Sequence, residues 1–198
     1  MSDRIKVIGL GGSLARTSAS LAALSVALEG AAEAGAAIEL FDIRALDLPF
    51  FVPGMGQAPA SAVRLAEAAC EAAGMLWSSP LYHGTISGAF KNALDWLQIL
   101  ADRDPPFLTD KVIGLISTAG GVHGLQAVNT MEFAVRALRG WAVPMVQPIP
   151  RAWESFAEDG SVRNPVVADQ LRALGREVVR AAQQLATTGA CDYSSARV

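Results

Sequence analysis

The sequence predicts an α/β domain built on a doubly wound parallel sheet, three layers deep, with helices on both faces. Three observations carry this. Short apolar runs rich in Val and Ile, each ending in Gly or Ser, alternate with longer stretches of helical period, the pattern of repeated βαβ units. The chain has 198 residues, the size of one domain. Of these, 52% are hydrophobic; setting aside the 36 alanines leaves about a third, an ordinary globular fraction, and the alanines themselves favour helix.

The elements follow in order. Ile5–Leu10, apolar apart from Lys6 and closed by glycine, reads as the first strand. A helix is expected over about 18–34, with Leu21, Leu24, Val26 and Leu28 as its apolar set and Gly35 as its stop. Ile38–Phe41 is the second strand. A long turn-rich connection over 43–60 leads to a helix capped by Ser61 and carrying Val63, Leu65 and Ala69. Met75–Trp77 is the third strand, running out in Ser78-Ser79-Pro80. The next helix, over about 87–100, shows Phe90, Leu94, Leu97 and Ile99 and is closed by Asp102-Arg103-Asp104-Pro105-Pro106. Lys111–Ser117 is the clearest strand. A helix beyond Gly121 reaches about Leu138 and stops at Gly140, and Trp141–Val146 is the fifth strand. Prolines 144, 148 and 150 assign it to a sheet edge, because proline cannot donate to a central ladder. Pro165 opens a last helix to about Leu185. Residues 1–188 are expected to form a single domain, with 189–198 as a flexible tail.

Charge and cysteine content exclude several functions. Sixteen basic residues against 19 acidic, net -3, offer no basic face for nucleic acid and no charged block for an anionic membrane. Cys70 and Cys191 read as free thiols of a reducing cytoplasm, and the N-terminus has no signal-peptide pattern. Two stretches without charge, 72–90 and 112–131, are broken by Ser, Pro, His and Gly and do not read as membrane spans. The expectation is a soluble cytoplasmic protein whose partners are small molecules or other subunits. Two histidines without a Cys, Asp or Glu cluster at ligand spacing point away from a metal.

In doubly wound sheets ligands bind at the carboxyl ends of the strands near the topological switch. Three loops there are rich in Gly, Ser and Thr: 11–18, 79–88 and 117–124. The first, Gly11-Gly12-Ser13-Leu14-Ala15-Arg16-Thr17-Ser18-Ala19-Ser20, aims free backbone N–H groups and hydroxyls at one point, and Arg16 adds a permanent planar charge. It suits a phosphate dianion held without metal; the plainer alternative is an ordinary capped helix with a surface arginine. A dinucleotide fingerprint fails, because Leu14 stands where its last glycine belongs, and no Gly-Lys-Ser/Thr of a P-loop occurs. Gly11-Gly12-Ser13-Leu14-Ala15 also approximates a nucleophile elbow, with Asp95 and His123 following in hydrolase order, but the elbow's last glycine is missing and the serine follows the first strand.

The second loop is the most distinctive segment. Pro80 fixes the exit from the strand, Tyr82 offers an aromatic face, and Gly84 and Gly88 permit close backbone approach. The run from Pro80 to Asp95 reads Pro-x-Tyr-x-Gly-x-x-Ser-Gly-x-Phe-Lys-Asn-x-Leu-Asp. It resembles the NADPH-dependent FMN reductase family, whose flavodoxin-like members also carry a Gly-Ser-x-x-Arg/Ser-x-Ser loop after the first strand. The likeness runs from about Lys6 to about Val146 and includes Phe41-Asp42-Ile43-Arg44 followed by Leu48-Pro49.

The resemblance implies a flavodoxin-like five-stranded parallel sheet in the order 2-1-3-4-5, FMN at the strand tips, and NADPH or NADH as hydride donor. Carried over by position, Ser13, Arg16, Ser18 and Ser20 would hold the FMN phosphate. Pro80, Leu81, Tyr82, His83 and Gly84 would line the isoalloxazine, and Ser117, Thr118, Ala119, Gly120 and Gly121 would meet its pyrimidine edge. There is one departure in the phosphate loop: many relatives place an arginine two residues after the serine equivalent to Ser13, where this chain has Ala15 and then Arg16. Histidine at position 83 is a second departure. Hydride transfer between stacked rings needs little acid or base chemistry from the protein, so no catalytic side chain is expected. Backbone N–H groups near Gly120 and Gly121 would stabilise negative charge on reduced flavin, or these glycines only let the chain turn. His83 and His123 fall in loops at the expected site, either touching substrate or as plain polar lining.

The segment Leu46-Asp47-Leu48-Pro49-Phe50-Phe51-Val52-Pro53-Gly54-Met55 is too apolar to lie bare in water. Either a partner subunit covers it or it folds back on its own domain; the resemblance implies a homodimer, often a homotetramer, in which the partner completes the flavin site. Trp96, Leu97 and Leu100 are candidates for the same interface, and as core residues they would read the same from sequence. The function expected is an FMN-dependent NAD(P)H oxidoreductase passing hydride to flavin N5 and onward, by a ping-pong route, to free FMN, a quinone, an azo compound or a metal oxyanion. The alternatives are a flavodoxin-type one-electron carrier, although such carriers are usually far more acidic, and a non-catalytic FMN-binding interaction protein.

Overall fold

The computed structural model describes residues 4–54 and 56–188. Strand β1 (Lys6–Gly11) leads into helix α1 (Ala19–Glu33), then β2 (Ala37–Asp42), the one-turn α2 (Ile43–Leu46) and α3 (Ala60–Glu71). Next come β3 (Gly74–Tyr82), the two-residue β4 (Thr85–Ile86) and α4 (Gly88–Trp96), extended by a 3-10 turn over Leu97–Leu100. β5 (Val112–Thr118), α5 (Leu125–Ala137), β6 (Trp141–Ile149), the short α6 (Ala152–Ser155) and α7 (Pro165–Thr188) complete the order.

The long strands are parallel in the order β2-β1-β3-β5-β6, and β4 pairs antiparallel with the end of β3. Without β4 this is the flavodoxin-like order 2-1-3-4-5. β6 lies at an edge, as its prolines require. β5 is buried along its whole length and β3 as far as Pro80, because helices cover both faces of the central strands. Alternate residues serve opposite layers. Ile8, Leu10, Met75, Trp77, Ile113 and Leu115 face α3, α4 and α5, whereas Val7, Leu76, Val112 and Ile116 face α1 and α7.

α1 and α7 cross on glycines. A Cβ on Gly175 would stand 1.9 Å from the Ala27 carbonyl oxygen, and one on Gly30 would stand 2.1 Å from that of Arg172. Ion pairs from Arg172 to Glu29 (2.9 Å) and from Arg176 to Glu33 (2.9 Å) flank the crossing.

The structure departs from the sequence reading at several boundaries. β3 does not end at Trp77 but runs through Ser78, Ser79 and Pro80, paired with β5 as far as Thr118. α3 starts at Ala60 with Pro59 in the capping position, so Ser61 lies inside the helix. The 43–60 connection contains α2, capped by Asp42, whose Oδ1 accepts from Arg44 N at 3.0 Å. Trp96, Leu97 and Leu100 are 2%, 0% and 0% exposed, core residues of this chain and unavailable to an interface. Cys70 is an exposed free thiol; Cys191 and the expected tail 189–198 lie outside the described residues. Among the described residues no helix is long and apolar enough to cross a membrane.

Candidate functional site

The first loop turns tightly against the sheet. Gly12 has φ +101 and its N–H donates to Ser78 O at 3.2 Å, while a Cβ on Gly11 would come within 2.4 Å of the same oxygen. Only glycine permits this approach. Ser18, extended at φ -127, then caps α1 by accepting from Leu21 N at 3.2 Å, which leaves the loop and the helix N-terminus facing one space. Ser13 Oγ accepts from Ala15 N at 3.3 Å.

Buried hydroxyls fasten this loop to the neighbouring strand ends. Ser20 and Thr118 share a 2.5 Å hydrogen bond between their hydroxyls, and Ser78 Oγ donates to Ser20 O at 2.8 Å. The second loop is fixed in the same way. Ser79 Oγ donates to Pro80 O at 3.0 Å and accepts from Ser87 N at 3.0 Å, and Ser87 Oγ in turn caps α4 at Phe90 N, 3.1 Å away. Tyr82 pairs with Thr85 across a two-residue turn in which His83 (φ 50) and Gly84 (φ 87) are both left-handed, a type I′ geometry. In the third loop Ser117 Oγ donates to Gly124 O at 2.6 Å, and Ala119 N donates to Ile149 O at 2.9 Å.

The three loops enclose a cleft of about 170 Å³. Ser13, Ser18 and Ser20 line it from the first loop, Pro80, Leu81 and Tyr82 from the second, and Thr118, Ala119 and Gly120 from the third. Five other expected residues fall elsewhere. Arg16 is exposed and borders an adjoining groove of about 750 Å³ between α1 and the 158–165 segment, which shares Thr17 and Ser18 with the cleft and where Glu29, Asp159 and Arg172 also lie. His83 and Gly84 form the exposed tip of the β3–β4 hairpin, and Gly121 is exposed beyond the cleft. Ser117 is fully buried behind it, its hydroxyl committed to Gly124. His123 is exposed on the loop before α5. Two lining residues that motif reading missed are Ala152 and Trp153, brought back over Gly120 by the turn after β6.

The perturbed lysines lie at the opposite end of the strands. A hydrogen bond from Lys6 to Glu39 raises the ammonium pKa and, seconded by Arg64, lowers that of the carboxylate. Burial holds Lys111 below the ordinary lysine value while its Nζ donates to Cys70 O at 2.6 Å. Among the described residues no three His, Cys, Asp or Glu side chains come together as a metal site.

A second, apolar hollow of about 420 Å³ lies beside the cleft, between Leu14, the 47–50 segment and the start of α4. The segment is pinned from α4: Asn92 Nδ2 and Trp96 Nε1 both donate to Pro49 O at 2.9 Å, and Asn92 Oδ1 accepts from Phe51 N at 2.9 Å. Phe51 packs edge-on against Trp96, with centroids 5.3 Å apart. Phe50 and Val52 stay 84% and 50% exposed, so the connection folds back only in part.

Comparison with known proteins places this geometry in a lineage. The family model described as NADPH-dependent FMN reductase matches residues 5–154. The NADPH-dependent FMN reductase ArsH of Acidithiobacillus ferrooxidans is 29% identical over 120 residues, 61% of this chain and 49% of that protein. The ArsH of Rhizobium meliloti is 25% identical over 74% of this chain and 59% of its own length, so the match spans about half of these relatives. The FMN-dependent NADPH-azoreductase of Staphylococcus aureus is 32% identical over 68% of this chain and 71% of its own. Among solved structures, FerB, a flavoenzyme NAD(P)H:(acceptor) oxidoreductase from Paracoccus denitrificans, superposes with a TM-score of 0.70 at 24% identity, covering 91% of this chain and 98% of that one, and a flavodoxin, WrbA-like protein from Agrobacterium tumefaciens does so at 0.64 and 17%. By the extent of the family match, this chain belongs to the NADPH-dependent FMN reductase family.

Proposed function

We propose that the chain is an FMN-dependent NAD(P)H oxidoreductase whose flavin lies in the cleft at the carboxyl ends of β1, β3 and β5. The observation that carries the reading is the meeting, in one cleft, of the Ser13–Ser18 loop at the N-terminus of α1 with the Pro80–Tyr82 strand end and the bare backbone at Gly120. Hydroxyls and unpaired N–H groups at a helix start suit a phosphate dianion, the Pro80–Tyr82 segment suits a flat apolar ring, and glycine suits close approach to its edge. Bound there, FMN would supply a redox-active ring able to take hydride at N5 and to reduce a second acceptor, the chemistry of a ping-pong sequence.

The protein's own part is positioning. Ser13, Thr17, Ser18 and Ser20 hold the phosphate end, and the hydroxyl bond between Ser20 and Thr118, in which either can donate, also ties the phosphate loop to the third loop. Arg16, on the adjoining groove that shares Thr17 and Ser18 with the cleft, adds positive charge beside the phosphate end. The backbone N–H of Gly120, at the wall of the cleft, would stabilise the negative charge that a bound flavin ring gains on reduction. Residues 1–188 act as one FMN-binding unit of a cytoplasmic protein, with NADPH or NADH as donor and free FMN, a quinone, an azo compound or a metal oxyanion as acceptor. The unit works as a homodimer or homotetramer, in which a second copy covers exposed Leu14 (66%), Phe50 and Val52 beside the apolar hollow.

The test is to purify the protein, record flavin absorbance, and follow NADPH and NADH oxidation with and without added FMN and quinone. Flavin-dependent oxidation supports the reading. Failure to bind FMN, with no oxidation under any condition, refutes it.

A further inference from the structure

The cleft has a wall that the strand-end loops do not supply. Trp153 sits on the four-residue α6 just beyond β6, with 59% of its surface exposed. An indole left this open forgoes the hydrophobic stabilisation that burial would give it. The backbone that presents it is also unfavourable: Arg151, immediately before α6, is left-handed at φ 41 and ψ 55, a region that costs any side chain larger than hydrogen. This corner is bonded to the third loop, Arg151 N donating to Gly121 O at 3.3 Å and Ala152 N to Ala119 O at 3.0 Å. The result lays the ring against Gly120, where an added Cβ would stand 3.6 Å from Trp153 Cζ3.

The size of the cleft gives this placement a consequence. About 170 Å³ is less than the roughly 300–1,000 Å³ of a site that surrounds a cofactor-sized molecule. A flat ligand entering between Ser18, Tyr82 and Gly120 must meet the indole, and the indole is exposed enough to swing aside and settle on it. We propose that Trp153 is a flavin-retaining residue: its ring folds over FMN in the cleft and sets how slowly the flavin leaves. Whether FMN stays through many turnovers or exchanges like a substrate then depends on this side chain. The inference rests on the FMN-binding reading above.

The test uses the full chain loaded with FMN, diluted in a stopped-flow instrument while flavin fluorescence reports release. Trp153→Ala is expected to release FMN about 5- to 100-fold faster, the range that loss of one aromatic stacking partner gives, and Trp153→Phe within about threefold of wild type. Trp141→Ala is the control: Trp141 is also exposed, at the other end of β6, and its loss leaves release unchanged. Far-ultraviolet circular dichroism confirms that the variants are folded, as expected for exposed positions. Release from Trp153→Ala at the wild-type rate overturns the inference alone, and equal acceleration in Trp153→Ala and Trp153→Phe overturns it too, since phenylalanine keeps a stacking ring. A wild-type chain that takes up no FMN overturns the underlying reading together with it.

Discussion

Gly175→Ala puts a methyl group at the closest point of the α1–α7 crossing. Its carbon would stand 1.9 Å from the Ala27 carbonyl oxygen and 2.7 Å from Ala31 N, both backbone atoms that no rotamer change can move. Normal contact between carbon and oxygen is more than 3 Å, so the helices must part by about 1 Å, and a gap of that size forfeits a quarter to a half of each dispersion contact across it. Overpacking against backbone atoms that cannot yield lies at the upper end of the usual range, about 3 kcal/mol, and the better helix propensity of alanine returns only about 1 kcal/mol. A net loss of roughly 2 kcal/mol corresponds to a fall in Tm of about 4–8 °C for a chain of this length. Urea denaturation and thermal melting of both proteins measure it. A Gly175→Ala protein as stable as wild type, or more so, would refute the tight crossing and with it the register of α7 on the sheet.

Other perturbations test other links. Asn92→Ala leaves Phe51 N without its acceptor and loosens the 47–52 segment on α4, at a cost of about 1–3 kcal/mol, with Pro49 O still held by Trp96; faster proteolysis within the segment and a lower urea midpoint are expected, and an unchanged cleavage rate would count against the pin. Phe50→Ser removes the most exposed apolar side chain of that segment and shifts the oligomer toward monomer in sedimentation velocity, whereas an unchanged assembly would place the interface elsewhere. Glu39→Gln tests an ion pair that is only partly shielded, so its cost at neutral pH is below about 1 kcal/mol. The folded-state pKa of Glu39 is lowered by Lys6, so its contribution is present above the ordinary carboxylate range and fades as pH falls through the lowered value; a stability difference that grew on acidification would contradict the assignment.

How much of this was legible depended on whether a signal was local. β1 and β5 are continuous Val/Ile-rich runs because they are covered on both faces, and Pro144 and Pro148 place β6 at an edge by chemistry that one residue carries alone. The far half of β3 was hidden because Ser-Ser-Pro reads as a turn, whereas Ser78 and Ser79 are fully buried with hydroxyls bonded to Ser20 O and Pro80 O. Four-residue helices such as α2 and α6 are too short for a periodic pattern. At the candidate site, the motif loops fall at strand ends that the fold brings together around one cleft, but their pattern does not say what each side chain does. Ser20 meets Thr118 across 98 residues, a partnership that no spacing announces. Trp96 shows the same limit: its apolar ring reads alike in a core or an interface, and only the fold seats it under Phe51 with its N–H on Pro49. Trp153 joins the cleft through a left-handed turn that sequence pattern does not signal.

On the proposed function, the loop opening α1 holds the phosphate of a flavin whose ring lies across the β3 and β5 ends. The most direct measurement is to titrate the flavin-free protein with FMN and with riboflavin, which carries the same ring without the phosphate. Charge-assisted hydrogen bonds to a dianion predict that FMN binds at least about tenfold more tightly and that Ser18→Ala narrows the gap. Equal affinity for the two flavins, or no binding of either, would contradict it.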